Sequence, residues 1–348
     1  WIVLPKDDTH PSESLDVVGL LLMSPGLALF LYGVSSIPEE GTVNSPKVYL
    51  TALAGLALIL AFGWWSMRPK HPLLDLRLLA NRRFSIAALT MFLFAAAFFG
   101  GLLLMPTYFQ QVRGETTTMA GILMIPQGLG ALVTMPIAGA LVDKYPVGRI
   151  VPVGIALITG GMFAFTQLSA DSSYWGFVIP ALFVMGLGMG ATMMPLMTSS
   201  LKALTAHQVA RGSTLLNITQ QVASSFGVAI ASVVLTRGFE NRPLIGQAQQ
   251  FAEQSEGTTD PSAIQQLLAK FPEVAQILGQ YATDPAAGAQ ALMQAVRVDM
   301  AEAFAATYWV SAFMCLATLV VAAFLPRKRE ESHLLDEEPG ESAPVLVH

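Results

Sequence analysis

Eight apolar stretches, each near the ~20 residues that a helix needs to cross a bilayer, constrain the fold of this chain more than any other feature. An isolated strand or loop cannot cross lipid, because its backbone groups would lack hydrogen-bond partners, whereas a helix satisfies its own. The sequence therefore predicts an all-α integral membrane protein with about eight transmembrane helices. The stretches lie at about 15–37, 48–67, 84–110, 117–142, 149–168, 175–200, 212–236 and 302–325.

Charged residues are too few to cover a water-facing surface. They make up 12% of the chain, against ~25% in soluble domains, so the lipid bilayer is the expected partner of the outer surface. The sequence contains no basic patch, so a nucleic-acid partner is not expected. Cys315, the only cysteine, lies in an apolar stretch, where a lone cysteine is usually a small hydrophobe. We therefore expect no disulfide and no metal site.

Lysine and arginine residues concentrate in the loops on one side of the predicted membrane, which the positive-inside rule makes the cytoplasmic side. The short loops on the other side hold only Lys47 and Arg113. Both ends of the chain are then cytoplasmic, and the protein is expected to be a multi-pass protein of the cell membrane.

A long loop at about 237–301 joins the seventh and eighth stretches on the extracytoplasmic side. Asp260-Pro261 and Asp284-Pro285 each predict a helix start, because Asp caps helices and Pro is favoured in the first turn. The second of these helices is expected to continue into the eighth membrane helix. Two interpretations remain open: a small helical cap, or a surface for a partner or an entering substrate.

No Asp, Glu, Lys, Arg or His lies in the middle of a predicted membrane helix, although such a residue is the usual mark of a proton relay. All five histidines lie in loops or tails, and no nucleophile–base pair is visible, so an enzyme is not expected. The chain begins at Trp1 without a signal peptide, and we interpret it as a fragment of a longer protein. A coupling carboxylate for protons is then expected upstream of Trp1.

The hinge Gly139–Arg149 contains one acidic residue, Asp143, and two basic residues, Lys144 and Arg149, between two apolar stretches. A transporter could keep a cytoplasmic gate closed at such a position. The candidate gate residues are Gly139, Asp143, Lys144, Gly148 and Arg149.

Methionine and aromatic residues form stripes at helical spacing in two stretches. Such side chains either fill gaps between helices or accept apolar substrates of many shapes. The third stretch carries Met91, Phe94, Phe98, Met105, Tyr108 and Phe109, and the sixth carries Met185, Met189, Met193 and Met197. Gly186 and Gly190, beside the second stripe, favour close packing of helix backbones.

Polar residues in the membrane helices need partners, because an amide in lipid would otherwise lose its hydrogen bonds. Hydrogen bonds between helices and contact with a substrate are both open interpretations for them. They are Gln127 in the fourth stretch and Ser213, Asn217, Gln220, Gln221 and Ser224 in the seventh.

Several segments together resemble the drug:proton antiporters of the EmrB/QacA type, the fourteen-helix branch of the major facilitator superfamily. Their order and spacing across about 15–325 carry the resemblance. The segments are His71–Phe84, Pro106–Gln111 with Gly114, Ala120-Gly121 with Pro126, Gly186–Gly190 with Pro195, and Gly212 with Asn217, Gln220 and Gln221.

The resemblance implies a domain organisation. It implies the family's central helix pair and C-terminal six-helix bundle, with the N-terminal six-helix bundle missing from this chain. The third and sixth helices would line the central cavity, so we assign the methionine and phenylalanine stripes to substrate. The polar residues would lie at the interface with the missing bundle. The predicted segments are a polar linker (1–14), the central pair (15–70), a basic cytoplasmic linker (71–83), the bundle (84–236 and 302–325), an extracytoplasmic helical loop (237–301) and a disordered cytoplasmic tail (326–348).

The hinge resembles the superfamily's cytoplasmic gate motif, Gly-x-Leu-x-Asp-Arg-x-Gly-Arg. Lys144 replaces the first Arg, and Asp143 and Gly148 are five residues apart instead of three. Lys cannot make the bidentate contact that Arg makes.

The function that the resemblance implies is multidrug efflux. The transporter would export drug-like amphipathic or apolar small molecules by proton-coupled alternating access, with the proton gradient as its energy source and no cofactor. The alternative is a truncated membrane fragment that transports nothing and only packs against partners.

Overall fold

The structure, a computed structural model, describes residues 16–36, 45–66, 68, 76–202, 204, 206–255, 261–281 and 284–325. Within these ranges, eight helices are long and apolar enough to cross a membrane, which confirms the predicted all-α membrane protein. The α-helices of the described part are α1 (Val17–Ser35), α2 (Pro46–Ser66), α3 (Arg82–Gln111), α4 (Thr117–Leu123), α5 (Ile125–Lys144), α6 (Val147–Phe165), α7 (Ile179–Lys202), α8 (Ala206–Glu240), α9 (Pro243–Ser255), α10 (Pro261–Leu268), α11 (Pro272–Gln280) and α12 (Pro285–Ala322).

One of these eight spans, Thr117–Val142, which is the fourth apolar stretch, consists of two consecutive helices rather than one. α4 ends at Leu123 and α5 begins at Ile125, with Met124 between them. Pro126 stands in the first turn of α5, where its missing N–H is tolerated but where its ring stops α4 from continuing. A short 3₁₀ helix (Leu76–Ala80) precedes α3, and a π-helical turn (Tyr174–Val178) precedes α7.

Helices α9, α10 and α11 and the first turns of α12 form a cap between the seventh and eighth membrane helices. The two predicted helix starts are confirmed, since α10 begins at Pro261 and α12 at Pro285. Asp284 caps α12, because its side chain accepts hydrogen bonds from the Ala286 and Ala287 N–H groups at 3.1 Å each. As expected, α12 continues without a break into the eighth membrane helix. Asp260 lies outside the described residues.

Six helices, namely α3, α5, α6, α7, α8 and α12, pack into one bundle. α5 packs on α7, α7 on α6, and α3 on α8, while α12 contacts α3, α6 and α8. One large hydrophobic core lies among them. Helices α1 and α2 pair with each other, and α1 contacts the bundle through α8.

Glycines bring the helices of this bundle to backbone distance. A Cβ on Gly186 of α7 would collide with the carbonyl of Gln127 in α5, and a Cβ on Gly227 of α8 would collide with the carbonyl of Ala96 in α3. Gly190 meets α5 in the same way. The packing role that the spacing of Gly186 and Gly190 predicts is therefore confirmed.

Candidate transport site

The aromatic and methionine stripe of α3 lies inside the bundle. Each member is at most 1% exposed, and all belong to the large core. The rings of Phe94 and Phe98 stack with their centroids 5.5 Å apart, and Tyr108 meets Phe304 of α12 edge to face at 5.9 Å. The expectation that this stripe lines a cavity is not met in this structure, because its side chains fill the space between helices. The members are Met91, Phe94, Phe98, Met105, Tyr108 and Phe109.

The accessible face of α3 is the opposite one. Leu89 is 49% exposed and Leu103 is 43% exposed, and Gln110 near the end of the helix is exposed as well. Both faces of α3 are apolar, so the stripe of large side chains did not distinguish the inner face from the outer one.

The methionine stripe of α7 is divided between core and surface. Met185 is buried and sits against Gly161 of α6, which corrects its assignment to an open cavity. Met189 and Met193 pack on the edge of the large core and are half-buried, as is Met197. These last three therefore remain candidates for contact with a substrate.

The polar residues of α8 form an exposed face. Asn217 and Gln221, one turn apart, are exposed, while Gln220 and Ser224 beside them are half-buried. Ala223, in contrast, is fully buried against α3. An amide group facing lipid would lose its hydrogen bonds with water, so we infer that this face of α8 meets protein or a water-filled space.

Gln127 differs from the polar residues of α8. It lies on α5, where its backbone touches Gly186 of α7, and it is 5% exposed. Among the described residues, neither its side-chain oxygen nor its nitrogen has a hydrogen-bond partner. The structure thus places Gln127 in the packed contact between α5 and α7 and does not bring it to the exposed face of α8.

The hinge forms a tight connection between α5 and α6. α5 ends at Lys144, Tyr145 is extended, and Pro146 precedes α6. Lys144 and Arg149 are exposed, Gly148 is buried and Gly139 is half-buried. The Asp143 side chain lies outside the described residues, so the gate contact remains a prediction. Tyr145 and Arg149 contribute to a groove of about 520 Å³ between α5, α6 and α7.

A second group of residues, which no sequence pattern indicated, lies where the cap meets the bundle. Arg113, after α3, donates from Nε to the Tyr174 hydroxyl at 3.0 Å, and Tyr174 donates to Glu115 at 2.9 Å. Arg297 of α12 donates from Nε to the Val112 carbonyl at 2.8 Å. The loop position of Arg113 was visible in the sequence, but its partner Tyr174 lies 61 residues further along the chain.

The bundle of long apolar helices agrees with the family that the sequence matches. Residues 15–228 match the family described as Major Facilitator Superfamily. The chain therefore belongs to the Major Facilitator Superfamily.

Individual relatives agree with the family match, and one of them covers nearly the whole chain. The "Multidrug resistance protein B homolog" of Mycobacterium tuberculosis is 40% identical over 339 residues, which cover 95% of this chain and 59% of that protein. "Multidrug export protein EmrB" of Escherichia coli is 26% identical over 68% of this chain and 45% of its own length. "Lincomycin resistance protein LmrB" of Bacillus subtilis is 25% identical over 67% of this chain and 48% of its own length. The predicted resemblance to EmrB-type transporters is confirmed, and the chain spans less than two thirds of these relatives.

Proposed function

We propose that this chain is the C-terminal portion of a multidrug efflux transporter that exports amphipathic or apolar small molecules. Its mechanism is proton-coupled alternating access, in which two helical bundles rock about a site near the membrane midplane. The second bundle is the N-terminal six-helix bundle of the same protein, and it carries the proton-coupling carboxylate. Both ends of the present chain lie in the cytoplasm, and the membrane is the cell membrane.

The exposed polar face of α8 is the observation that carries this proposal. Asn217 and Gln221 are exposed on a helix that is long and apolar enough to cross a membrane. Two amides would be unfavourable in lipid, whereas at the interface with a second bundle they have protein or water as partners. The relatives, which are longer than this chain and named for drug resistance or export, support the same assignment.

Substrate contact is proposed for the half-buried part of the α7 stripe and for the accessible face of α3. Met189, Met193 and Met197 offer flexible, polarisable side chains that adapt to different apolar shapes. Leu89 and Leu103 offer apolar surface on the neighbouring helix. In the same protein, the hinge around Asp143 would hold the cytoplasmic side closed.

The test replaces both amides, Asn217→Leu and Gln221→Leu, in the full-length protein. We expect the double variant to reach the membrane but to lose most efflux of ethidium from energised cells, because its α8 face no longer matches a polar interface. Gln250→Leu, at an exposed position of α9 in the cap, is the matched control and should keep normal efflux. Normal efflux by the double variant at equal membrane abundance would contradict the interface assignment.

A further inference from the structure

A groove of about 870 Å³ lies between the cap and the end of α3. Its volume falls within the ~300–1,000 Å³ of sites that bind drug-sized molecules. The walls are mainly apolar and come from all four helical segments of the cap. Representative wall residues are Phe251, Ile264, Leu268, Leu278, Leu292 and Val296.

Among the described residues that line the groove, Arg113 and Arg297 are the charged ones. Both guanidinium groups converge on one atom, the Ala170 carbonyl oxygen, which accepts from Arg113 Nη1 and, at 3.5 Å, from Arg297 Nη2. Two like charges held at one point repel each other, and an anion placed beside them relieves that repulsion. The groove therefore has an apolar body and a positively charged end.

Among the described residues, no carboxylate lines the groove to neutralise this end. Asp171 lies 3.9 Å from Arg297, but it is an exposed side chain outside the groove lining, and such exposed pairs contribute little. Glu115 is bound by Tyr174 and also lies outside the lining. Some positive potential is thus left facing the groove.

The two arginines are held in place before any ligand arrives. Nε of Arg113 is bonded to Tyr174, whose ring also lies 4.4 Å from the guanidinium carbon, and Nε of Arg297 is bonded to the Val112 carbonyl. Burial lowers the pKa of Arg113, but the hydrogen bond to Tyr174 and the coulombic influence of Tyr174, Tyr108 and Asp171 outweigh it, so the pKa is raised and the charge is retained. A fixed guanidinium group binds a carboxylate or phosphate with little further loss of entropy.

We propose that the groove binds a single-chain amphiphile that carries one anionic group, with its apolar chain along the cap helices and its anionic group at Arg113 and Arg297. The apolar walls favour burial of the chain, because removing apolar surface from water is favourable. A cation would be repelled by the arginines. A neutral amphiphile would gain the apolar contacts without the charge-assisted hydrogen bonds. The site lies outside the substrate surfaces proposed above and does not depend on them.

The test measures binding directly. Full-length protein in phosphatidylcholine nanodiscs is irradiated with palmitic acid that carries a terminal diazirine, and labelled peptides are mapped by mass spectrometry. The neutral alcohol with the same chain and diazirine is the control probe. A two-chain phosphatidylglycerol probe distinguishes a membrane lipid from a single-chain ligand. Labelling of the membrane helices by dissolved probe serves as the internal reference.

We expect the fatty-acid probe to label cap peptides from α9, α11 and α12 well above the neutral probe. Arg297→Gln should reduce this labelling about tenfold, the effect of losing a hydrogen bond to a charged group, whereas Arg237→Gln at an exposed site should not. Ala289→Trp, at an exposed wall position, should abolish cap labelling by filling the groove. Ala286→Trp, exposed on the same helix but outside the lining, should preserve it.

Three results would overturn the proposal. They are equal cap labelling by acid and alcohol, cap labelling by the two-chain probe in place of the single-chain acid, and undiminished labelling of Ala289→Trp. None of them depends on transport, so failure here is distinguishable from failure of the efflux test.

Discussion

Phe94 and Phe98 illustrate how a single residue's role depends on which face of a helix is covered. Both are fully buried, and their rings stack on each other inside the bundle. Leu89 and Leu103, on the same helix, are almost half exposed. The two faces of α3 have similar hydropathy, because in a membrane protein the surface in contact with lipid is as apolar as the interior. Burial, rather than residue type, separates packing residues from candidates for substrate contact.

Phe98→Ala should therefore lower the free energy of unfolding. Removing a buried aromatic ring leaves a cavity and costs about 3–5 kcal/mol in well-packed interiors. We expect a clearly lower midpoint of thermal unfolding in detergent, measured by fluorescence-detected size-exclusion chromatography after heating. Leu103→Ala, on the accessible face of the same helix, is the control and should unfold near the wild-type temperature. Equal midpoints for the two variants would argue that Phe98 does not pack the bundle.

Helices α5 and α7 show how packing is set at the scale of the element. Gly186 and Gly190 face the backbone of α5, and Gly130 of α5 faces the backbone of α7. Gly128, two residues before Gly130, faces open space instead. A Cβ added at Gly128 would have no atom of another helix within 4 Å. The sequence predicted a small-residue contact, whereas the partner helix and the position of closest approach came from the structure.

Gly186→Ala should weaken this contact. Its methyl group would overlap the Gln127 carbonyl, and forcing atoms into a packed interface costs about 1–3 kcal/mol. The expected result is a lower unfolding midpoint and less folded protein recovered from membranes. Gly128→Ala adds the same methyl group to open space, so its midpoint should stay the same or rise slightly. A Gly186→Ala protein as stable as Gly128→Ala would contradict the close approach of α5 and α7.

At the scale of the whole molecule, the predicted orientation assigns the cap and the hinge to opposite sides of the membrane. The cap separates α8 from α12, and the hinge joins α5 to α6. Cys315, the only cysteine of this chain, is buried, so single reporter cysteines can be introduced once Cys315 and any cysteine of the proposed N-terminal bundle are replaced by Ala. The orientation of the protein can then be read from which reporter cysteine reacts with a reagent that cannot cross the membrane.

Glu253→Cys in the cap and Lys144→Cys in the hinge are suitable reporters, because both positions are exposed. In intact cells, with an outer membrane permeabilised where one is present, we expect a membrane-impermeant maleimide to label the cap cysteine. The hinge cysteine should react only after the cell membrane is opened. The reverse pattern would invert the topology and, with it, the cytoplasmic position of the proposed gate.

The sequence by itself determined the class of the protein, the eight membrane spans of the described residues and the helix starts at Pro261 and Pro285. These follow from local properties: length of apolar runs, capping residues and proline. It also located the polar residues of α8, because amides are conspicuous in an apolar helix.

Only the tertiary structure decided which faces of α3 and α7 are buried, that Gln127 lies in the contact between α5 and α7, and that Arg113 and Arg297 meet at one carbonyl. Each of these depends on residues far apart in the chain. Apolar periodicity cannot supply them, because lipid and protein interior favour the same side chains, and the choice between them is made when the helices pack.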